Sequence, residues 1–78
     1  MTHHQLTLSE IKRIFDDFLI ATGIKQYDHT SAIHTSLLYE YCLGRAIAQG
    51  YTLKDYSGLM YRMTRYAIEK SRECAGDE

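Results

Sequence analysis

Histidines are the first residues in this chain whose type and spacing could support chemistry. His29 and His34 are five positions apart, which separates them by about 140° around a helix, so they share no face. Zinc requires three or four protein ligands, and the helical neighbours of His34 supply no nitrogen, sulfur or carboxylate. A site could form only if His29 lay outside the helix with Asp28 beside it. His3 and His4 have no further ligand candidate nearby, so we expect no metal site.

The acidic residues provide no catalytic set either. Asp16 and Asp17 are adjacent and project about 100° apart on a helix, so they cannot converge on one substrate. The chain contains no GxSxG nucleophile elbow, no glycine-rich phosphate loop and no HExxH motif. Three short helices would also leave little room for a pocket of the usual ~300 Å³ or more. We therefore predict that the protein is not an enzyme, with no catalytic residues and no cofactor.

The cysteines favour a structural role and a reducing compartment. Cys42 and Cys74 are not spaced as a CxxC redox or zinc motif. Cys42 falls inside an apolar stretch, where a free cysteine acts as a small hydrophobic residue. No apolar run approaches the ~20 residues of a membrane span, and the opening MTHHQ lacks the charged and apolar regions of a signal peptide. We expect a cytoplasmic protein without a membrane segment.

The most informative surface residues belong to the third helical segment, on the side opposite its predicted core face. Arginines interleaved with tyrosine are typical of interface hot spots, where a guanidinium binds a carboxylate or stacks on a ring. Gly58 costs a helix interior about 1 kcal/mol relative to alanine, and its missing side chain would let another backbone approach. The alternative is a solvated face with ordinary Arg65–Glu69 and Glu69–Arg72 pairs. The predicted partner-binding residues are Lys54, Gly58, Tyr61, Arg62, Arg65, Ile68 and Arg72.

The elements that must position this surface are helices separated by short loops. Thr7 and Glu10 form a capping box that begins the first helix, and Gly23 ends it. Loops of two to five residues turn neighbouring helices back on one another. The sequence therefore predicts an all-α fold, a compact three-helix bundle in a single domain, 1–78. The predicted helices are about 8–22, 29–49 and 53–74, with flexible segments at 1–6 and 75–78.

The caps and the core face of the later helices follow from the same rules. Asp28 or Thr30 is expected to cap the second helix, and Thr52 with Asp55 the third. The predicted core face of the third helix comprises Leu53, Tyr56, Met60, Met63 and Ala67, with Leu59 and Tyr66 on its flank.

The second helix is apolar around almost its whole circumference. After Asp28, Glu40 and Arg45 are its only charged residues, and a helix of this kind must be covered on several sides. We therefore predict that this is the central helix of the bundle, and since two flanking helices would not cover it fully, we also predict a homodimer. Its residues expected in dimer or core packing are Leu37, Tyr41, Gly44 and Ala48.

Composition narrows the class of partner. The chain has 78 residues, a net charge of −1 and a pI of about 6.4, which is no basic footprint for nucleic acid. Seven tyrosines are an excess, and tyrosine suits interfaces, although the rings could equally fill a core that is short of large side chains. We expect the partner to be another protein.

One DNA-binding pattern competes with this interpretation. With Cys42 as position one of a helix-turn-helix, Ala46 takes the small fifth position and Gly50 the turn. Against it, Arg45 and Gln49 occupy positions that normally pack inward, and Leu53, Lys54, Ser57 and Gly58 suit base reading poorly.

The predicted function is binding of another protein, as a small regulator or inhibitor of the kind that phages and plasmids encode. A helix-turn-helix DNA-binding regulator and a structural subunit of a larger assembly are the alternatives. The sequence identifies neither the partner nor whether binding inhibits or activates it.

Overall fold

Three α-helices make up the fold in the computed structural model, which describes residues 6–76, with side chains described through Glu73. They are α1 (Leu8–Thr22), α2 (Ala32–Gln49) and α3 (Leu53–Gly76). The predicted all-α helical bundle is confirmed, with no strand among the described residues. Most of the expected flexible ends, His3, His4 and the Cys74 side chain lie outside the described part of the chain.

The predicted capping box is present at the start of α1. Thr7 is the N-cap in an extended conformation, and its side chain accepts a hydrogen bond from the Glu10 backbone N–H, while the Glu10 side chain accepts from the Thr7 N–H at 2.8 Å. These bonds satisfy two backbone donors that a helix otherwise leaves without partners. Gly23 ends α1 in the left-handed conformation, with φ of 76°.

α2 begins three residues later than the sequence predicts. The Asp28 carboxylate accepts hydrogen bonds from both the backbone N–H and the hydroxyl of Thr30. This is a turn that an aspartate forms with its own downstream backbone, and it competes with helix capping. Ser31 caps the helix instead, accepting from the His34 N–H, while the Asp28 N–H donates to the His34 ring.

α3 begins where the sequence predicts, after a tight turn. Gly50 adopts φ of 73°, and the Tyr51 N–H donates to the Ala46 carbonyl across it. The Thr52 hydroxyl accepts from the Asp55 N–H, and the Asp55 carboxylate accepts from the Thr52 N–H. This reciprocal cap fixes the start of α3 beside the end of α2.

Aromatic rings form the centre of the core. Phe18 is fully buried, with its ring 5.6 Å from that of Tyr41 and 6.1 Å from that of Tyr27. Phe15 lies edge-on to both Tyr27 and Tyr66, at 5.7 and 5.4 Å. Such offset pairs are more favourable than face-to-face stacking. Tyr27, which the sequence places in a loop, is therefore a core residue joining α1 to the start of α2.

The buried stripe of α3 differs from the predicted one. Leu59, Met63 and Ala67 are buried at successive four-residue steps, and Ser71 continues the stripe as a buried polar residue. Leu53, expected in the core, is 81% exposed. It is the first residue of α3 and lies more than one helical turn before Leu59, where the buried stripe begins.

α2 is buried along one stripe only. Leu38, Cys42 and Ala46 are buried, and α3 packs more extensively on both α1 and α2 than these two pack on one another. Leu37 and Tyr41 are half-buried beside this stripe, whereas Ile33, Leu43 and Ile47 face solvent within one chain. α3 is thus the helix on which the other two pack.

The segment before α1 is attached to α3, contrary to its expected flexibility at Leu6. Leu6 is half-buried and packs on the core, and its carbonyl accepts a hydrogen bond from the Arg62 guanidinium. None of the described helices is both long enough and apolar enough to cross a lipid bilayer.

Candidate functional site

The outer side of α3 presents most of the predicted partner-binding residues to solvent. The structure brings five of the seven together on this side, and their side chains or backbone are exposed. These five are Lys54, Gly58, Tyr61, Arg65 and Arg72. We call this surface the α3 outer face.

Arg65 and Tyr61 form the best-defined pair on the α3 outer face. The Arg65 guanidinium lies over the Tyr61 ring, 5.6 Å from its centroid, and donates a hydrogen bond to the Tyr61 hydroxyl at 3.1 Å. The four-residue spacing on one helix places the two side chains side by side. The contact orders two long side chains before any partner binds, which lowers the entropy that binding would cost.

The two remaining predicted residues lie at the edges of α3 rather than on its outer face. Arg62 is half-buried toward α1, where its guanidinium donates to the Leu6 carbonyl. Ile68 is half-buried on the opposite edge.

A cleft between α2 and α3 continues the α3 outer face inward. Its volume is about 480 Å³, and Tyr61 and Arg65 form its outer wall. Tyr39 of α2 lines the facing wall, and Tyr56 and Met60 are half-buried residues that pack on the core and line the cleft. The sequence assigned Tyr56 and Met60 to the core alone. The cleft thus combines three tyrosines, a methionine and an arginine, types enriched at protein interfaces.

The charge around this cleft is predominantly positive. From Leu53 to Ile68, α3 has the cations Lys54, Arg62 and Arg65 and a single carboxylate, Asp55. The Asp55 carboxylate accepts from the Thr52 N–H. Arg65 is the charged residue that lines the cleft, and the exposed Lys54 and Glu69 lie near it on α3.

Gly58 lies inside α3 on its exposed side, and no contact within the described chain requires a glycine there. A β-carbon at this position would meet no neighbouring atom within 4 Å. We therefore expect Gly58→Ala to raise the free energy of unfolding by about 1 kcal/mol, measured by urea denaturation. Gly50→Ala is the control, since a side chain at φ of 73° should cost about 1–2 kcal/mol. A loss of stability in Gly58→Ala would show that α3 is closely packed at this position.

The exposed side of α2 carries three large apolar residues, with the exposed Glu40 among them on the same side of the helix. Ile33 and Ile47 are 71% and 72% exposed, and Leu43 lies exposed between them. These three residues are the α2 outer face. Gly44 and Ala48 are exposed next to it, and a β-carbon at Gly44 would meet nothing within 4 Å.

The other two residues predicted for dimer or core packing lie nearer the core. Leu37 and Tyr41 are half-buried and pack on the core cluster. The Tyr41 hydroxyl accepts a hydrogen bond from Arg45 at 3.1 Å. Arg45 also lies 3.8 Å from the Asp17 carboxylate.

The two histidines hold the loop before α2 in place. The Ser71 hydroxyl oxygen accepts from the His29 backbone N–H at 3.2 Å and lies 2.9 Å from the His29 Nδ1. Both bonds join the loop to α3, which gives His29 and the buried Ser71 a structural role.

Within the described part of the chain, no three His, Cys, Asp or Glu side chains are arranged to hold a metal ion.

The Cys42 thiol is buried between the helices. Burial raises its pKa to about 11, while the nearby charge of Arg45 acts in the opposite direction. The thiolate is the reactive form of cysteine, so at neutral pH Cys42 is a protonated, weakly reactive packing residue.

The α2–turn–α3 unit reproduces part of the helix-turn-helix pattern. Cys42 and Ala46 are buried, and Gly50 makes the turn. Arg45 is only half-buried and Gln49 is exposed, at positions that normally pack inward. The DNA-binding interpretation stays a prediction.

Comparison with known proteins adds no relationship to these observations. No protein-family model matches the chain, and neither the curated proteins nor the solved structures contain a significant match.

Proposed function

We propose that this protein is a non-enzymatic regulator or inhibitor that binds another protein through the α3 outer face and the cleft beside it. The observation that carries the proposal is the cleft itself, which Tyr39 and Tyr56 line together with the ordered Tyr61–Arg65 pair. Tyrosine and arginine supply much of the binding energy in protein interfaces, because they combine large contact areas with polar groups.

The partner's contacting segment should be an apolar stretch that carries carboxylates. Tyr56 and Met60 offer an apolar surface at the base of the cleft, where aliphatic or aromatic side chains would be buried. Arg65 at the rim can bind a carboxylate through two parallel hydrogen bonds, and Lys54 adds a second positive charge. An acidic amphipathic helix meets both requirements.

Affinity capture from the natural host tests this function with a charge reversal and a matched control. We expect wild-type protein to retain a stoichiometric protein partner after nuclease treatment, and Arg65→Glu to lose it. Reversing the rim charge places a carboxylate against the partner's carboxylates, which costs at least about tenfold in affinity. Arg13→Glu, the same change at an exposed residue of α1, should retain the partner.

Other outcomes of the capture contradict the proposal. Equal retention by wild type and Arg65→Glu would place the partner on a different surface. Recovery of nucleic acid that nuclease removes would favour the helix-turn-helix alternative, with binding that weakens steeply as salt concentration rises. Aggregation of the purified chain, with its interfaces exposed, would favour a structural subunit of a larger assembly.

We also propose that the chain forms a homodimer through the α2 outer face and acts in the cytoplasm, which suits the free thiol of Cys42. Ile33, Leu43 and Ile47 are 71%, 46% and 72% exposed within one chain. A contact between two copies that covers these three side chains would remove their apolar surface from water. Gly44 and Ala48 beside them would allow a second α2 to approach closely, in a two-fold arrangement that buries the same patch on both copies.

A further inference from the structure

A separate cleft of about 270 Å³ lies between α1 and α3, where the loop after α1 crosses between them. None of its residues belongs to the α3 outer face or the α2 outer face. Aromatic rings and an aliphatic side chain form its inner surface, and three lysines, Asp16 and Gln26 lie around its rim. The residues used in the argument below are Phe15, Leu19, Lys25, Tyr66 and Lys70.

The inner surface of this cleft suits a flat ring. Phe15 and Tyr66 meet edge to face, with ring centroids 5.4 Å apart, and Tyr66 and Leu19 are only half-buried. Part of their apolar surface therefore remains available to a ligand, which could stack on or meet the edge of the Tyr66 ring. A volume just below the ~300 Å³ of common ligand pockets admits one or two fused rings.

The rim of the cleft has an excess of positive charge. Lys12 pairs with Asp16 at 3.3 Å, and Lys70 pairs with Glu73 at 3.4 Å, all with well-exposed side chains. Lys25 enters no ion pair among the described residues. Exposed pairs of this kind contribute about 0–1 kcal/mol, so Lys12 and Lys70 can turn toward a bound anion with little loss.

Lys70 connects the charged rim to the aromatic surface. Its ammonium lies 5.6 Å from the centroid of the Tyr66 ring, so a negatively charged group beside that ring would lie within reach of the ammonium. Lys25 comes from the loop side of the same cleft. The cleft therefore offers a ring-binding surface and positive charge from two sides.

We propose that this cleft binds a small aromatic anion, one or two rings that carry a carboxylate, with the ring against Tyr66 and Leu19 and the carboxylate between Lys25 and Lys70. This site goes beyond the protein-binding function and does not depend on it. It requires only the α1–α3 packing already described.

Titration of ¹⁵N-labelled full-length protein with 2-naphthoate, followed by NMR, tests the proposal. We expect saturable shifts of the amides of Lys25, Tyr27 and Lys70. The neutral 2-naphthamide should bind about tenfold more weakly or worse, since it lacks the charge-assisted hydrogen bonds of the carboxylate. Equal affinity for the two compounds, or shifts confined to other residues, would overturn the proposal.

A matched pair of charge reversals localises the site. Lys25→Glu should weaken 2-naphthoate binding about tenfold or more, the loss of one charge-assisted hydrogen bond. Arg13→Glu, a charge reversal at an exposed residue of α1 that does not line this cleft, should leave it unchanged. Both positions are exposed, so both variants should keep the wild-type amide dispersion. An unchanged affinity in Lys25→Glu, or an equal loss in both variants, would contradict the proposal.

Discussion

Phe18→Ala is expected to unfold most of the protein. Phe18 is fully buried, and its ring contacts those of Phe15, Tyr27 and Tyr41. These three rings come from α1, from the loop after it and from α2. Removing a buried phenylalanine side chain typically costs about 3–5 kcal/mol. A domain of this size seldom has a larger net stability than about 3–5 kcal/mol, so little margin would remain.

Urea denaturation followed by circular dichroism measures this loss. Ile20→Ala is the matched control, because Ile20 is 80% exposed on the same helix and should change the free energy of unfolding by less than about 0.5 kcal/mol. A Phe18→Ala protein that loses less than about 1 kcal/mol would contradict the packing of Tyr27 and Tyr41 on this ring.

Ile47→Glu is expected to dissociate the homodimer without unfolding the chain. Ile47 is exposed within one chain, so a carboxylate there costs the monomer little. In the dimer, two-fold symmetry would bury one new carboxylate from each copy against apolar surface. Since each such burial costs more than about 1.4 kcal/mol, and 1.4 kcal/mol is tenfold in affinity, the dissociation constant should rise about a hundredfold or more.

Sedimentation equilibrium at micromolar concentration measures the dissociation constant. Ile20→Glu introduces the same charge at an exposed isoleucine on α1 and should dimerise as the wild type does. A monomeric wild-type protein under these conditions would contradict the dimer. An unchanged dissociation constant in Ile47→Glu would show that the dimer uses a different surface.

Local sequence signals predict the helices well where the cap is a short reciprocal contact. Thr7 with Glu10 and Thr52 with Asp55 both form as capping boxes. The start of α2 is less predictable, because Asp28 and Ser31 are both good N-cap residues and the Asp28 side chain turns to Thr30 instead. Only the packing of the loop decides between such competing caps.

Burial is less predictable than helix formation. Tyr27 lies in a loop with no periodic neighbours, so nothing in the sequence places it between Phe15 and Phe18. Ser71 could have been found, since it continues the four-residue repeat of Met63 and Ala67. The polarity of serine conceals that periodicity.

The sequence predicts one part of the candidate site, the Tyr61–Arg65 pair, but not the cleft beside it. Tyr61 and Arg65 are four residues apart, so helical spacing alone predicts that they meet. The cleft beside them depends on Tyr39 of another helix, and that contact requires the packing of α2 on α3. Arg62 belongs to the same arginine- and tyrosine-rich stretch of α3, so the sequence does not distinguish it from Arg65. Its guanidinium nevertheless binds the Leu6 carbonyl, 56 residues away in sequence.

Site-specific photo-crosslinking in the host cell tests most directly whether another protein binds at the Tyr61–Arg65 pair. The photoreactive residue p-benzoylphenylalanine replaces Tyr61 in one variant and the exposed Ile20 of α1 in the control. We predict one defined crosslinked protein partner from position 61 and none from position 20. No crosslink at position 61, or the same products from both positions, would contradict protein recognition by this surface.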